Sequence, residues 1–284
     1  MNSELGALVL VGTPIGNLGD LSERVLDALR DADVLACEDT RRTRTLLTHA
    51  GIPSAGRLRA VPAHDEAESA AWVVERVAAG ERVAVVTDAG LPGISDPGSR
   101  LVRACLDAGL AVEVVPGPSA VTTALVLSGL PTDRFVFEGF LPRKGSGRAD
   151  RLEALAAEPR TTVIFESPRR VLATLSDLIA HCGEHRLAAL ARELTKLHEE
   201  VRRGTLRELA ASVEATEPRG ECVLVLGGAV HARAATTDAD VDEALVAELE
   251  RGTATRDAAA IVSARLGMGR REVYARAVRL QRPR

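Results

Sequence analysis

Short, unbroken apolar runs recur along the chain, and each runs into a turn of glycine, proline or charge. Residues 7–11, 34–37, 83–86 and 110–115 are too short for helices and rich in β-branched residues, which predicts buried strands. Between them the apolar spacing lengthens. Residues 22–32 put Val25, Leu26 and Leu29 on one helical face, and 67–79, 99–106 and 119–127 also read as helices. This alternation is that of an α/β protein. Gly129 to Asp133 looks like a boundary, after which strands are expected at 134–140, 161–165, 186–190 and 221–226. A helix to Ala180 follows the second of these, and Thr205 is placed to cap another that runs to Val213. Residues 199–203 read as an edge strand, and 229–240 as a linker. Three helices close the chain: one opening at Val241, then 255–266 and 270–280, the last two joined by a tight turn at 267–269.

The chemistry gathers at the ends of the early strands. The stretch 87–98, Thr-Asp-Ala-Gly-Leu-Pro-Gly-Ile-Ser-Asp-Pro-Gly, holds three glycines and two prolines. Glycine lets the backbone approach a ligand, and proline fixes a loop without help from packing. Asp96 before Pro97 predicts an N-cap and a first-turn proline for the next helix. Comparable turns follow the other strands: 12–20, the acid-and-arginine cluster 38–44, and Pro116-Gly117-Pro118-Ser119-Ala120. Pro118 suits the first turn of a helix whose opening amides, near Ser119 and Ala120, are free. Ligands of open α/β sheets sit beyond the carboxyl ends of strands, so four such ends indicate a pocket. The first loop has no G-x-G-x-x-G and no G-x-x-x-x-G-K-[ST], which argues against a dinucleotide or P-loop site.

Composition narrows the classes. Of 284 residues 46% are hydrophobic but only 2% aromatic, and the net charge is −4. A sizeable aliphatic core follows, without stacking platforms for single strands or a uniform positive field. Three of the four phenylalanines fall in 135–140. A basic, glycine-rich, mobile loop is expected at 141–148. Lys144 and Lys196 are the only lysines, arginine supplying every other cation. The helical tail carries Arg256, Arg265, Arg270, Arg271, Arg276 and Arg279; it reads as a structural cap or as a small RNA-touching appendage. Cys37, Cys105, Cys182 and Cys222 stand apart, which suits a reducing compartment and gives no zinc spacing. A lone His64 reads as structural. With neither a leader-like start nor a long apolar run, a cytoplasmic protein without bound metal is expected.

Taken together, the motifs Gly12-Thr13-Pro14-Ile15-Gly16-Asn17-Leu18, Glu38-Asp39-Thr40-Arg41 and 88–98 resemble those of the tetrapyrrole methylase superfamily. So do Pro116 to Ala120, Phe140 to Gly145, Glu166 to Arg170 and Arg192 to Lys196. Within it they are similar to the branch that methylates a cytidine 2′-hydroxyl of 16S rRNA. The resemblance implies two α/β domains, 1–130 and 131–230, with S-adenosylmethionine folded in the cleft between them, a helical appendage at 231–284, and a homodimer. It places cofactor contacts at Pro14, Asp88, Leu91, Ser119, Ala120 and Phe165, with Glu166 the alternative to Phe165. A ribose hydroxyl is a weak nucleophile, so a nearby carboxylate or lysine could orient it or take its proton. Glu38, Asp39, Glu166, Glu193 and Lys196 are the candidates, with Glu38 or Glu166 the expected group. Arg41, Arg42, Arg143, Lys144, Arg169 and Arg170 would hold phosphates of the small-subunit RNA. Two rivals share the pattern: a methyltransferase acting on a small tetrapyrrole, and a non-catalytic RNA-binding ribosome-assembly module.

Overall fold

The computed structural model describes residues 6–54, 56–62, 65–229, 238–266 and 268–280. His64 and Gly267 lie outside them, as do residues 230–237 of the expected linker. Contacts divide the chain into two compact units, Met1–Ala229 and Val230–Arg284.

The larger unit holds two five-stranded sheets. The first contains β1 (Ala7–Val11), β2 (Val34–Cys37), β3 (Leu58–Ala60), β4 (Arg82–Val86) and β5 (Ala111–Val115) in the order β3-β2-β4-β1-β5, every pair parallel. Helix α1 (Glu23–Asp31) packs on one face through Val25 and Leu29, and α2 (Thr40–His49) joins it through Leu47. Helices α3 (Glu66–Ala78) and α4 (Ser99–Asp107) cover the other with Val73, Val77, Leu101 and Cys105. Burial on both faces is why β1, β2 and β4 read as continuous apolar runs. Parallel pairing puts every carboxyl end on one edge, which gathers the glycine- and proline-rich turns.

Helix α5 (Ala120–Ser128) leaves that edge and packs on the second sheet. That sheet contains β6 (Phe135–Phe140), β7 (Thr161–Glu166), β8 (Leu187–Arg192), β9 (Glu200–Thr205) and β10 (Cys222–Leu226), in the order β6-β7-β10-β8-β9. Only β6 and β7 are parallel. Val121, Ala124 and Leu125 of α5 meet Val163, Ala189 and Val225 on one face. Helices α6 (Ser146–Ala157), α7 (Val171–Cys182) and α8 (Leu206–Ala215) cover the other. Thr205 caps α8 in a full capping box with Glu208.

Three details depart from the sequence reading. Strand β3 and helix α6 had no counterpart in it: β3 is a three-residue edge, and α6 opens at Gly145 without a side-chain cap. The loop expected at 141–148 therefore ends in a helix, and Arg148 reaches back to bond Asp177, Thr174 and the carbonyl of Pro142. Asp96 does not cap α4. The N-cap is Gly98, and the buried Glu66 of α3 accepts from the amides of Gly98 and Arg100, each at 2.8 Å. Pro118 stands outside α5, whose N-cap is Ser119.

The smaller unit is α9 (Asp238–Glu250), α10 (Thr255–Leu266) and α11 (Arg270–Leu280), closed around Val241, Leu245, Ala259, Val262, Val273 and Ala277. Arg276 is tied to Asp238 and Asp242.

Candidate active site

A cavity of about 440 Å³ lies between the edge of the first sheet and the α5-bearing face of the second. The first half contributes Ile15, Leu91, Ile94, Asp96, Ser119 and Ala120; the second contributes Phe140, Phe165, Leu194 and Cys222. The walls are held by backbone. Thr13 and Gly90 form a two-bond bridge of 2.8 and 3.2 Å, and the Thr13 hydroxyl donates to the carbonyls of Thr87 and Gly90. Gly12 and Gly117 cross main chain to main chain, leaving no room for a side chain on either. Ser95 is in the left-handed region at φ 64°, an uncommon state for a residue with a side chain. Phe165 meets Phe137 and Phe140 edge-on, at 5.0 and 5.6 Å between ring centres. Phe140 stays 57% exposed.

A second, smaller cavity of about 240 Å³ adjoins it, lined by Pro14, Arg42, Thr87 and Asp88 among others. Pro14 and Asp88 line this one while their neighbours Ile15 and Ala89 line the larger, so the two share a wall. The Asp88 amide donates to Glu38 at 3.2 Å and its carboxylate pairs with Arg42 at 3.3 Å. Burial and the Glu38 charge nevertheless raise the Asp88 carboxyl above its ordinary value, against the pull of Arg42. Asp88 Oδ1 and Thr87 Oγ1 are buried without a hydrogen-bond partner.

The expected cofactor residues are thus divided: Leu91, Ser119, Ala120 and Phe165 line the large cavity, and Pro14 and Asp88 the small one. The two expected catalytic carboxylates are placed differently from the reading. The Glu166 side chain is fully buried, and its oxygens accept from the Thr174 hydroxyl at 2.7 Å and the Ser167 amide at 2.8 Å, with Arg170 at 3.4 Å. It holds the turn after β7 and has no oxygen to offer a substrate. Glu38 faces the Asp88 amide and lines neither cavity. Glu193 and Lys196 belong to a separate knot, in which Lys196 Nζ reaches Glu193 at 2.9 Å and Glu221 at 3.1 Å.

The cations divide too. Arg41 is turned onto Asp39, whose carboxyl it holds well below the usual range. Arg42 pairs with Asp88, and Arg170 bonds inward to Glu166 and the carbonyl of Leu141, so Arg170 is a structural cation. Arg143, Lys144 and Arg169 are exposed and form no ion pair with a described residue. Sequence reasoning placed the 87–98 loop at the pocket without singling out Ile94 or Asp96 within it, and missed Cys222 as a cavity residue. The alternation of β7 held one usable signal: with Phe165 facing the cavity, Glu166 must face the helices behind. Among the described residues no group of His, Cys, Asp and Glu is placed to hold a metal, and no helix is long and apolar enough to cross a membrane.

The family model described as Tetrapyrrole (Corrin/Porphyrin) Methylases matches residues 7–210. The Mycobacterium tuberculosis (strain H37Rv) protein named Ribosomal RNA small subunit methyltransferase I is 47% identical over 270 residues, which cover 95% of this chain and 93% of that one. Its namesake from Escherichia coli O157:H7 is 48% identical over 225 residues, 78% of each chain. The one from Synechocystis is 40% identical over 280 residues, 98% of this chain and 99% of that one. Among solved structures, uroporphyrin-III-C-methyltransferase from Thermus thermophilus superposes with a TM-score of 0.54 at 25% identity, covering 79% of this chain and 96% of that one. Cobalt precorrin-4 methyltransferase shares the fold, with a TM-score of 0.58 at 18% identity over 80% and 97% of the two chains.

Proposed function

Because the chain belongs to the tetrapyrrole methylases, we propose that it is an S-adenosylmethionine-dependent methyltransferase of small-subunit ribosomal RNA, acting on the 2′-hydroxyl of a cytidine in 16S rRNA. The observation that carries this reading is the cavity at the sheet edge, joined to relatives that bear the rRNA methyltransferase name over nearly the whole chain. We read the two sheets as two domains divided near residue 130, and residues 231–284 as the appendage.

The residues present fit the cofactor. The larger cavity has an apolar wall in Ile94, Phe140 and Phe165, suited to the purine and the sulfonium methyl. It also has the uncapped start of α5 at Ser119 and Ala120, whose amides are free to donate. The unpartnered Asp88 Oδ1 and Thr87 hydroxyl suit an ammonium group at the shared wall. When bound, the cofactor supplies a methyl group activated on sulfur. The chain's part is to fix that group, exclude water and present the acceptor hydroxyl in line.

Of the six candidate cations, Arg143, Lys144 and Arg169 have no ion-pair partner among the described residues, whereas Arg41 and Arg42 would meet phosphate in competition with Asp39 and Asp88. Changing Arg143, Lys144 and Arg169 together to alanine is expected to weaken binding to unmethylated small subunits about tenfold or more at 0.15 M salt. It should also reduce the slope of log affinity on log salt by about two to three. Cofactor affinity, read by calorimetry, should not change. An unaltered salt slope would remove these residues from the interface.

We read the protein as a homodimer in the cytoplasm, with the exposed Val114, Val126 and Leu187 as apolar surface that a second copy would cover. The deciding experiment is transfer of labelled methyl from S-adenosylmethionine to unmethylated small subunits, followed by digestion to nucleosides, on protein whose dimer mass has been checked by sedimentation. Label is expected in 2′-O-methylcytidine. Tight cofactor binding without label in RNA would favour a small tetrapyrrole acceptor. Loss of both would favour the binding module.

A further inference from the structure

Four residues with ionisable side chains border the larger cavity: Asp96, Glu166, Glu221 and Cys222. Three are spoken for. Glu166 is closed in by Thr174, Ser167 and Arg170. Glu221 is paired with Lys196. Burial pushes the Cys222 thiol up to about 11. Asp96 alone makes no hydrogen bond or ion pair to a described residue, although it is half-buried.

The loop around Asp96 is built to hold it still. The Gly93 amide donates to the Pro97 carbonyl at 2.9 Å, and that of Ile94 to Leu91 at 3.3 Å. The buried Glu66 pins the amides of Gly98 and Arg100. A Cβ on Gly98 would stand 2.8 Å from the Gly93 nitrogen, so the two limbs of the loop touch. The left-handed Ser95 is the last residue before Asp96. A backbone held in a strained state by so many contacts fixes the direction of the next side chain.

We propose that Asp96 accepts the proton of the RNA hydroxyl during methyl transfer, an assignment that rests on the reading of the site as a ribose 2′-O-methyltransferase. The hydroxyl oxygen forms its bond to the methyl carbon as the carbon–sulfur bond breaks. That bonding pair stays on sulfur, giving a neutral thioether, and the proton passes from oxygen to the Asp96 carboxylate, which returns it to water after product leaves. The environment suits the task. Burial comes first, and the charges of Glu38 just after β2, Asp88 in the turn after β4 and Glu221 just before β10 add to it, raising the carboxyl to about 7. A proton acceptor works best with its affinity near the working pH.

The test compares wild type with Asp96→Asn, which keeps the side chain's shape. Single-turnover methyl transfer to unmethylated small subunits is followed from pH 5.5 to 9, together with calorimetric cofactor binding and urea unfolding of the free protein. For wild type the rate should climb about tenfold per pH unit below 7 and level off above it. The variant should lose that inflection and fall about a hundredfold or more on the plateau, while binding cofactor within about threefold of wild type. Unfolding gives a readout free of catalysis. The folded carboxyl binds its proton more tightly than the unfolded one, so its contribution to stability is complete below pH 3.8 and lost as pH rises through about 7. Wild type should therefore weaken across that window relative to Asp96→Asn. If the variant keeps the wild-type plateau, or slows while keeping the inflection, Asp96 is not the acceptor. If wild type itself binds cofactor but labels no RNA, the function reading fails and this assignment with it.

Discussion

Replacing Gly12 with alanine is expected to lower affinity for S-adenosylmethionine at least about thirtyfold and methyl transfer about a hundredfold, more than removing any one wall side chain. The reason is steric and lies in the backbone. A Cβ on Gly12 would stand 2.5 Å from the Gly117 nitrogen and 2.8 Å from its Cα. The reciprocal Cβ on Gly117 would meet the Gly12 carbonyl oxygen at 2.5 Å. No rotamer relieves a contact whose partner is main chain, so one of the two turns must move by about an ångström. Gly12 also donates to the Val115 carbonyl at 2.9 Å, which ties the end of β1 to the end of β5. The β5 turn carries Ser119 and Ala120, and the β1 loop carries Ile15. Both cavity walls shift together, and a misplacement of about 1 Å is enough to cost about a hundredfold in rate. Overpacking of this kind also costs about 1–3 kcal/mol of stability, readable as a lower urea midpoint. Calorimetry on the folded variant separates the two effects. Cofactor affinity within about threefold of wild type would show that this crossing does not shape the site.

How legible such a site is depends on which property carries it. Strands β1 and β10 over their whole length, and β4 after Arg82, are apolar because both faces are covered, so their positions follow from the pattern alone. Ser22 and Thr205 cap their helices with their own side chains, and a local bond of that kind is readable locally. The cap of α4 is not, because Glu66 supplies it from 32 residues away. The same long reach hides the place of β10 in the sheet, between β7 and β8 although it follows both. At the site, loop composition marked the turns at Thr13, Asp88 and Pro116 but could not say which way each side chain points. Asp96 therefore read as a cap and Glu166 as a candidate base, whereas the fold turns the first into the cavity and the second away from it.

Removing the Glu166 carboxylate should then unfold the protein more readily without stopping catalysis. Glu166 is the buried end of a polar chain that runs to the surface: Ser167 and Thr174 donate to it, Arg148 bonds the Thr174 hydroxyl at 3.1 Å, and Asp177 holds Arg148 at 2.7 and 2.9 Å. Alanine at 166 strands the Thr174 hydroxyl and the Ser167 amide, and takes from Arg170 its carboxylate partner. Each buried group left unmatched costs about 1–3 kcal/mol. Arg170 keeps some access to water, so its loss is discounted. A net destabilisation of about 2–4 kcal/mol is expected, seen as a lower urea midpoint at unchanged slope. Methyl transfer per folded molecule should fall by less than about tenfold. A general base or hydroxyl-orienting group would behave in the opposite way, with the midpoint kept and the rate down by about 10² or more. Thr174→Val provides the partner for a double-mutant cycle. If the two side chains act through one bond, their unfolding costs should fall short of additivity by about 1 kcal/mol. Additive costs joined to a large loss of rate would instead return Glu166 to the chemistry and free Thr174 from its part in holding the turn.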